Sequence, residues 1–358
     1  MTAAAHPVLR TRACELFGVR YPVVQTGMGW VSGARLTSAT ANAGGLGILA
    51  SATMTYDELA AAIRETKART TEPFGVNLRA DAPDAAQRID LLAEHGVRVA
   101  SFALAPKKEL IARCKDAGLV VVPSIGARRH AEKVADWGAD AVIVQGGEGG
   151  GHTGQVPTTV LLPQVVDAVD IPVVAAGGFF DGRGLVAALA YGADAIAMGT
   201  RFLLTSDSAV SAAVKKVYLG KGVTDTVVTR EVDGMPHRVL RTDLVDQLEK
   251  SKPVSRLARS ARNALAFQKL SGTPWRDIVT EGLAMKKNAE MSWSQVVMAA
   301  NTPMLLKAAM VDGRPDLGVM ASGQVVGVLD DLPSCAELLD RIMREATQTL
   351  SRLGSPHA

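Results

Sequence analysis

Short apolar and β-branched runs alternate with longer stretches of mixed apolar and charged residues over the first 206 positions. The short runs have the length of buried strands, and the longer ones, such as TYDELAAAIRETKART, have the length and composition of helices. The predicted strands lie at residues 22–26, 46–49, 74–77, 97–102, 119–124, 141–145, 172–176 and 195–198. Eight strands alternating with helices predict an α/β fold with a parallel sheet, and eight is the number that closes a (β/α)8 TIM barrel.

Single glycines separate several of the helical stretches from the strands that follow them. They stand at Gly96, Gly118, Gly138 and Gly192 and fit helix C-terminal caps. An open, doubly wound sheet is the alternative architecture. The first predicted strand is not followed by a GxGxxG turn, which counts against that alternative.

The alternation ends after residue 206. Residues 207–301 carry helical segments such as LVDQLEK and RLARSARNALAFQKL without a clear strand–helix repeat. We therefore predict a barrel over residues 1–206, a mainly helical insertion on the substrate side over residues 207–301, and a C-terminal segment over residues 302–358. A helix predicted from about residue 334 to 353 would complete the outer ring of the barrel.

Composition narrows the class of protein. The chain has 358 residues and a formal net charge of +3, which does not favour a nucleic-acid partner. The three cysteines are far apart, so the sequence indicates neither a disulfide framework nor a metal site. The first residues lack the apolar core of a signal peptide, and no uncharged apolar run reaches about 20 residues. We expect a cytoplasmic protein with no membrane span.

The most informative motif is the loop GGEGGGHTG at residues 146–154, directly after the sixth predicted strand. So many glycines predict neither helix nor strand, because glycine has the largest backbone entropy cost in both. Glycines instead allow the backbone to approach a flat group closely. His152 is the one titratable imidazole among them, with an ordinary pKa of about 6.5. A flexible surface turn with an incidental histidine is the alternative interpretation.

Two further glycine turns follow the seventh and eighth predicted strands. Gly177 and Gly178 lie in AAGGF, and Gly199 and Thr200 lie in MGTRF. Backbone N–H groups in such turns bind anions, and barrels place their phosphate site after these two strands. The pair of turns therefore predicts a phosphate site, against the alternative of tight turns alone.

Four more residues at strand ends are candidates for a ring-shaped cofactor. Gly27 and Met28 follow the first strand in QTGMGW, where the glycine allows close approach and the thioether can lie against a ring. Asn77 and Gln145 are amides at the ends of the third and sixth strands. An amide both donates and accepts, which suits the edge of an isoalloxazine, although each is equally consistent with a structural bridge.

The ordered set QTGMGW, NAGGLGI, PFGVN, QGGEGGGHTG, PVVAAGGF, GTRF and ASGQ resembles the nitronate monooxygenase and flavin-dependent enoyl reductase superfamily over nearly the whole chain. The resemblance implies an FMN-binding barrel. It implies that Gly27, Met28, Asn77 and Gln145 line the flavin ring, and that His152 is the catalytic residue. Gly150 is a further candidate for cofactor binding. The residues implied at the phosphate are Gly177, Gly178, Gly199 and Thr200, with Gln324 of ASGQ approaching the same region.

Within the superfamily, Thr26 and Gly27 stand where the nitronate branch usually has Ala-Pro. The motifs QTGMGWVSG and EPFGVNL resemble the enoyl-thioester reductase branch. The chain resembles still more closely the actinobacterial oxidoreductases of steroid C/D-ring breakdown, which implies a CoA-thioester substrate.

A basic face in the predicted insertion supports a CoA partner. Arg256, Arg259 and Arg262 recur at intervals of three, roughly on one face of a helix. Arginines in this arrangement suit phosphate groups, although a solvated basic face is the alternative.

The sequence thus predicts an FMN-dependent oxidoreductase acting on the CH–CH bond next to a CoA thioester, with a hydrindane acyl group from steroid catabolism. NAD(P)H is a candidate electron partner, and a homo-oligomer is left open. A nitronate monooxygenase is the alternative enzyme, and a catalytically silent flavin-binding protein is the alternative from another class.

Overall fold

A computed structural model describes residues 6–103, 105–250 and 301–355. Eight parallel strands close into a barrel in the order β1-β2-β3-β4-β5-β6-β8-β9, and the last strand pairs with the first. The barrel strands are β1 (Val23–Gln25), β2 (Leu46–Ala50), β3 (Phe74–Leu78), β4 (Val99–Phe102), β5 (Val120–Ile125), β6 (Val142–Gln145), β8 (Val173–Ala176) and β9 (Ala195–Met198). Each of the eight predicted strands is confirmed, and so is the (β/α)8 barrel.

Helices follow the strands and cover the barrel. In the described residues they are α1 (Arg12–Phe17), α2 (Ala34–Asn42), α3 (Tyr56–Arg69), α4 (Ala85–Glu94), α5 (Lys108–Asp116), α6 (Arg128–Asp136), α7 (Thr158–Val166), α8 (Gly182–Ala190), α9 (Thr200–Leu203), α10 (Ala212–Leu219), α11 (Asp243–Glu249), α12 (Asn301–Met310) and α13 (Cys335–Gly354). Two 3-10 turns lie at Pro7–Leu9 and Gln324–Val328.

The four glycines predicted at helix ends take left-handed backbone angles, with φ between 64° and 95°. This conformation costs glycine little, so the chain can leave each helix and enter the next strand.

Alternate residues of the strands face two different apolar layers. Val24 packs inside the barrel with Ile48 and Val122, whereas Val23 packs outside it with the surrounding helices. Both faces of each strand are therefore buried, which explains why the strands read as continuous apolar runs rather than as alternating patterns.

The C-terminal helix α13 completes the outer ring, as the sequence predicts. Ser334 and Glu337 form a capping box at its start. Its far half packs on α8, where Gly182 donates its N–H to Glu345 Oε2 at 2.9 Å. A Cβ atom at Gly182 would lie 2.3 Å from the backbone nitrogen of Ala346, so this close approach requires glycine.

A second, three-stranded sheet lies beside the barrel and was not predicted. It has the order β10-β11-β7, with β7 at Gly151–His152, β10 at Thr226–Thr229 and β11 at His237–Leu240. The hairpin β10–β11 falls in the segment for which the sequence indicated mainly helices. Helices α10 and α11 of that segment are present, whereas residues 251–300 lie outside the described residues. The predicted domain boundaries stay predictions.

The three cysteines are buried and unpaired. Burial raises the pKa of Cys114 and of Cys335 to about 12, so these thiols stay protonated and inert. Among the described helices, none combines the length and the apolar character that a membrane crossing requires.

Candidate active site at the carboxyl end of the barrel

The glycine loop leaves β6 and returns as the short strand β7. Antiparallel pairing with β11 sets His152 opposite His237 and Gly151 opposite Arg238. The expectation that this glycine run contains no strand is therefore wrong for Gly151–His152. The pairing with β11 supplies tertiary hydrogen bonds that local propensity does not reveal.

The loop presents His152 to a buried carboxylate. His152 Nε2 lies 2.7 Å from Asp233 Oδ2, while the His152 side chain is 54% exposed and that of Asp233 is 6% exposed. Burial lowers the pKa of His152, but the hydrogen bond to Asp233 and its negative charge outweigh burial and raise the pKa above its ordinary value. Asp233 therefore holds the Nε2 proton and leaves Nδ1 as the nitrogen that can exchange a proton with a substrate.

His237 lies behind this pair. Its ring centroid is 4.7 Å from that of His152, and its Nδ1 is 3.7 Å from Asp233 Oδ2, beyond hydrogen-bonding distance. Burial lowers the pKa of His237, and Asp233 only partly offsets the effect. The two histidines hold the pKa of Asp233 well below its usual range despite its own burial. The carboxylate of Asp233 is thus ionised. It lies between the buried, neutral imidazole of His237 and the half-exposed imidazole of His152.

Three side chains fix the glycine loop in this position. Arg238 donates from Nε and Nη2 to the carbonyl of Gly147 at 3.1 and 2.8 Å. Gln145 donates from Nε2 to the carbonyl of His152 at 2.8 Å. The carboxylate of Glu148 accepts from the backbone N–H and hydroxyl of Thr158, at the start of α7. These hydrogen bonds fix the conformation of the loop, which is therefore not a flexible turn.

The loop also packs backbone to backbone on the ASGQ segment. A Cβ atom at Gly150 would lie 2.5 Å from the carbonyl carbon of Ser322. Gln324 donates its N–H to the carbonyl of Glu148 at 3.0 Å, and Gly323 donates its N–H to Thr200 Oγ1 at 2.9 Å. Gly150, Thr200 and Gln324, predicted from separate motifs, meet here.

The two predicted phosphate turns lie side by side, because β8 pairs with β9. Gly177 and Gly178 have φ angles of 96° and 85°, which only glycine adopts without strain. Gly199 lies at the end of β9, and Thr200 begins α9. These turns form a glycine-lined cradle at the end of the barrel where TIM barrels bind phosphate.

The first loop closes the other side of this cradle. A Cβ atom at Gly199 would lie 3.4 Å from Met28 Sδ, and one at Gly27 would lie 2.5 Å from the Cβ of Asn77. Ser32 fixes the loop by accepting from the N–H of Met28 at 2.9 Å. The structure thus gathers Gly27, Met28 and Asn77 next to the phosphate turns. These residues are the candidates for holding a flat ring with a terminal phosphate.

Trp30 is the only non-glycine residue of the described ranges with a positive φ angle, 64°. Such a conformation costs roughly 1–3 kcal/mol and persists where surrounding contacts enforce it. Here the indole Nε1 donates to the carbonyl of Pro303 in α12 at 3.0 Å. The strained loop is therefore tied to α12.

The nitronate monooxygenase family model matches residues 10–88 and 84–345. The chain belongs to the nitronate monooxygenase family. It is accordingly an oxidoreductase with a flavin cofactor, and the superfamily resemblance in its sequence is confirmed.

Two curated relatives match almost end to end. The chain is 65% identical over 350 residues to a protein of Rhodococcus jostii (strain RHA1), covering 98% of this chain and 99% of the relative. It is 66% identical over 351 residues to a protein of Mycobacterium tuberculosis (strain ATCC 25618 / H37Rv), covering 96% of this chain and 99% of the relative. Both are named (3aS,4S,5R,7aS)-5-hydroxy-7a-methyl-1-oxo-octahydro-1H-indene-4-carboxyl-CoA dehydrogenase.

More distant relatives span both branches of the superfamily. A probable nitronate monooxygenase of Staphylococcus saprophyticus is 31% identical, over 67% of this chain and 81% of its own. Among solved structures, FabK from Thermotoga maritima superposes with a TM-score of 0.77 at 33% identity, covering 96% of this chain and 98% of that one. A nitroalkane oxidase from Streptomyces ansochromogenes superposes with a TM-score of 0.74 at 28% identity. The match covers 95% of this chain and 99% of that one.

Sequence reasoning missed Asp233, His237, Arg238 and Glu148. Asp233 and His237 lie in the segment DGMPH, between the β-branched runs that form the hairpin. A polar turn with a carboxylate four residues before a histidine was the available signal. The predicted substrate residues Arg256, Arg259 and Arg262 lie outside the described residues.

Proposed function

We propose that this chain is an FMN-dependent oxidoreductase that acts on the CH–CH bond next to the thioester carbonyl of a CoA ester. The acyl group is a steroid-derived hydrindane, which places the enzyme in steroid catabolism. The observation that carries this proposal is identity of 65% and 66%, over nearly full length, to relatives named as dehydrogenases of an indene-carboxyl-CoA. Their names favour dehydrogenation as the direction.

The glycine cradle is the proposed phosphate site of FMN, formed by Gly177, Gly178, Gly199 and Thr200. Gly27, Met28, Asn77 and Gln145 would lie along the ring, with Gly150 and Gln324 nearby. Gln145 Nε2 already donates to the carbonyl of His152, so Gln145 would act on the ring from a fixed position. Bound FMN would supply the two-electron chemistry needed to remove a hydride from the β-carbon, with NAD(P)⁺ as the candidate electron acceptor.

His152 moves the proton at the α-carbon. The carboxylate of Asp233 keeps the proton on Nε2, so the lone pair of Nδ1 is available to accept the α-proton. The buried negative charge then stabilises the imidazolium that forms. The thioester oxygen gains negative charge in this step and needs hydrogen-bond donors. Gly149 already donates its N–H to the carbonyl of Gly146, and Gly151 is paired with Arg238 in the β7–β11 ladder, so the N–H of Gly150 is the candidate donor for this task.

Replacement of the base tests the proposal. We expect His152→Ala to retain bound flavin and to lose turnover of a hydrindane carboxyl-CoA by about 10²–10⁴-fold. His130 lies on α6, outside the glycine loop, and His130→Ala is the matched control. Less than threefold loss in His152→Ala would show that His152 does not exchange the proton.

A nitronate monooxygenase is the second candidate function. The family model and the Staphylococcus relative favour it. His152 would serve there as the base on a nitroalkane, with reduced flavin reacting with O₂. Kinetics with both substrate classes decide between the two. A kcat/KM for propionate 3-nitronate above that of every cyclic CoA ester would assign the nitronate activity, and no turnover of either class would favour a non-catalytic flavin protein.

A further inference from the structure

Three side chains with metal-ligating atoms meet beside the glycine loop. One ligand atom from each of His152, Asp233 and His237 lies within 4.8 Å of the other two. The two shorter separations are 2.7 Å from His152 Nε2 and 3.7 Å from His237 Nδ1 to the same carboxylate oxygen. Tetrahedral zinc with bonds of about 2.0–2.2 Å separates its ligand atoms by roughly 3.4 Å. Side-chain shifts on the order of 1 Å would therefore bring this trio into coordination geometry.

His237 is a buried histidine behind His152. Its side chain is 2% exposed, and neither ring nitrogen has a hydrogen-bond partner among the described residues. An unpaired buried polar group costs about 1–3 kcal/mol, so a native structure that keeps one calls for a partner. Burial lowers the pKa of His237 and favours the neutral imidazole, which is the form that binds metal.

The surroundings suit a cation. Asp233 is ionised and supplies negative charge. The neighbouring guanidinium of Arg238 is turned away, toward the carbonyl of Gly147 and the hydroxyl of Thr226. The carboxylate of Glu148 is engaged at the start of α7, and Glu231 lies two residues before Asp233.

The trio is open to solvent on one side and held in place by strand pairing. The half-exposed ring of His152 opens the cluster to solvent, whereas the other two ligands are buried. Pairing of β7 with β11 fixes the two histidines opposite each other. Three protein ligands with an open position on the solvent side match the ligand count of accessible zinc sites.

We propose that His152, Asp233 and His237 bind a divalent transition-metal ion of the zinc type, and that the bound ion inhibits the enzyme by occupying His152. The ion takes the place of the proton on His152 Nε2, so the neutral imidazole carries its proton on Nδ1 and has no lone pair there. Metal binding and uptake of the α-proton by His152 therefore exclude each other. The inhibitory part rests on the proposed function, whereas binding of the metal does not.

Calorimetric titration of the flavin-loaded, chelator-treated enzyme with ZnCl₂ tests the site directly. We expect one saturable site in the wild type. His237→Leu keeps a buried apolar side chain of similar size and should weaken zinc binding by at least the roughly tenfold that loss of an outer-shell partner costs. His130→Ala should bind zinc as the wild type does. Visible d–d bands of bound Co²⁺ that depend on His237 would give a second readout.

No saturable binding to the wild type, or equal affinity in His237→Leu with flavin absorbance and circular dichroism unchanged, would overturn the site. Turnover should fall as zinc saturates the site and recover with chelator. Saturated enzyme that turns over normally would overturn the inhibitory role. If the wild type turns over no CoA ester, the proposed function fails, and calorimetry still decides the metal site.

Discussion

His152 and Asp233 lie 81 residues apart in the chain, yet His152 Nε2 and Asp233 Oδ2 are 2.7 Å apart. The first residue comes from the loop after β6 and the second from the hairpin beyond the barrel. Because the carboxylate is buried and ionised, it determines both the orientation of the imidazole and its proton affinity. The pH dependence of turnover should therefore respond to Asp233.

Asp233→Asn removes the charge that raises the pKa of His152. The pKa should fall, so the neutral base forms at lower pH, and the acid limb of the kcat/KM profile should move to lower pH. The maximal rate should also fall, because the amide no longer stabilises the imidazolium. Rate profiles across the pH range measure both effects.

Asp246→Asn is the matched control for that profile. Asp246 on α11 is 39% exposed, and its Oδ1 lies 3.8 Å from Nη1 of Arg241. An unchanged acid limb in Asp233→Asn, or the same shift in Asp246→Asn, would contradict the assigned role of Asp233.

Gly150→Ala tests the close packing of the loop on the ASGQ segment. The added Cβ would lie 2.5 Å from the carbonyl carbon of Ser322, a backbone atom that cannot yield easily. The loop must shift, and displacement of a catalytic group by about 1 Å can cost about 10²-fold in rate. Gly126→Ala is the control, since its Cβ would meet nothing within 4 Å. Equal kcat for the two variants would show that the loop tolerates a side chain.

Purified protein should be yellow and should release FMN on heating. The phosphate turns after β8 and β9 suit a mononucleotide, and no GxGxxG turn follows β1. Chromatography of the released chromophore checks the identity of the flavin. Recovery of FAD, or of no flavin from folded protein, would contradict the FMN assignment.

Gly178→Ala should weaken flavin binding. Gly178 has a φ angle of 85°, and the left-handed conformation costs a non-glycine residue roughly 1–2 kcal/mol. The nearest contact of the new Cβ, 3.8 Å to the Cβ of Glu148, is an ordinary one, so strain and not a clash should cause the effect. The flavin content per chain after dialysis measures it, with Gly126→Ala again as the control. Full retention of flavin would argue against a phosphate site at this turn.

Replacement of Arg256, Arg259 and Arg262 by Ala tests the predicted CoA contact. We expect a raised KM for a CoA thioester but not for a short thioester that lacks the nucleotide, with kcat nearly unchanged. Charge-assisted hydrogen bonds contribute roughly 1.5–3 kcal/mol when well formed and less when exposed. Equal effects on the two substrates would support a solvated basic surface.

The barrel could be predicted from the sequence alone. Its strands are buried on both faces, so each appears as a continuous apolar run, and glycines mark the ends of the helices between them. A barrel places the carboxyl ends of its strands at one rim. The sequence therefore also predicts that the glycine turns after β8 and β9 lie at the same rim as the histidine after β6.

The sheet β10-β11-β7 and the pairing of His152 with Asp233 required the tertiary structure. A two-residue strand in a glycine run has no periodic signal. Asp233 lies in the short connection between β10 and β11, His237 is the first residue of β11, and the segment that holds both is of mixed character. Contacts between residues 81 apart carry no local signature. The sequence therefore determined which imidazole stands at the barrel rim, while long-range packing decided which carboxylate orients it and which second histidine lies behind them.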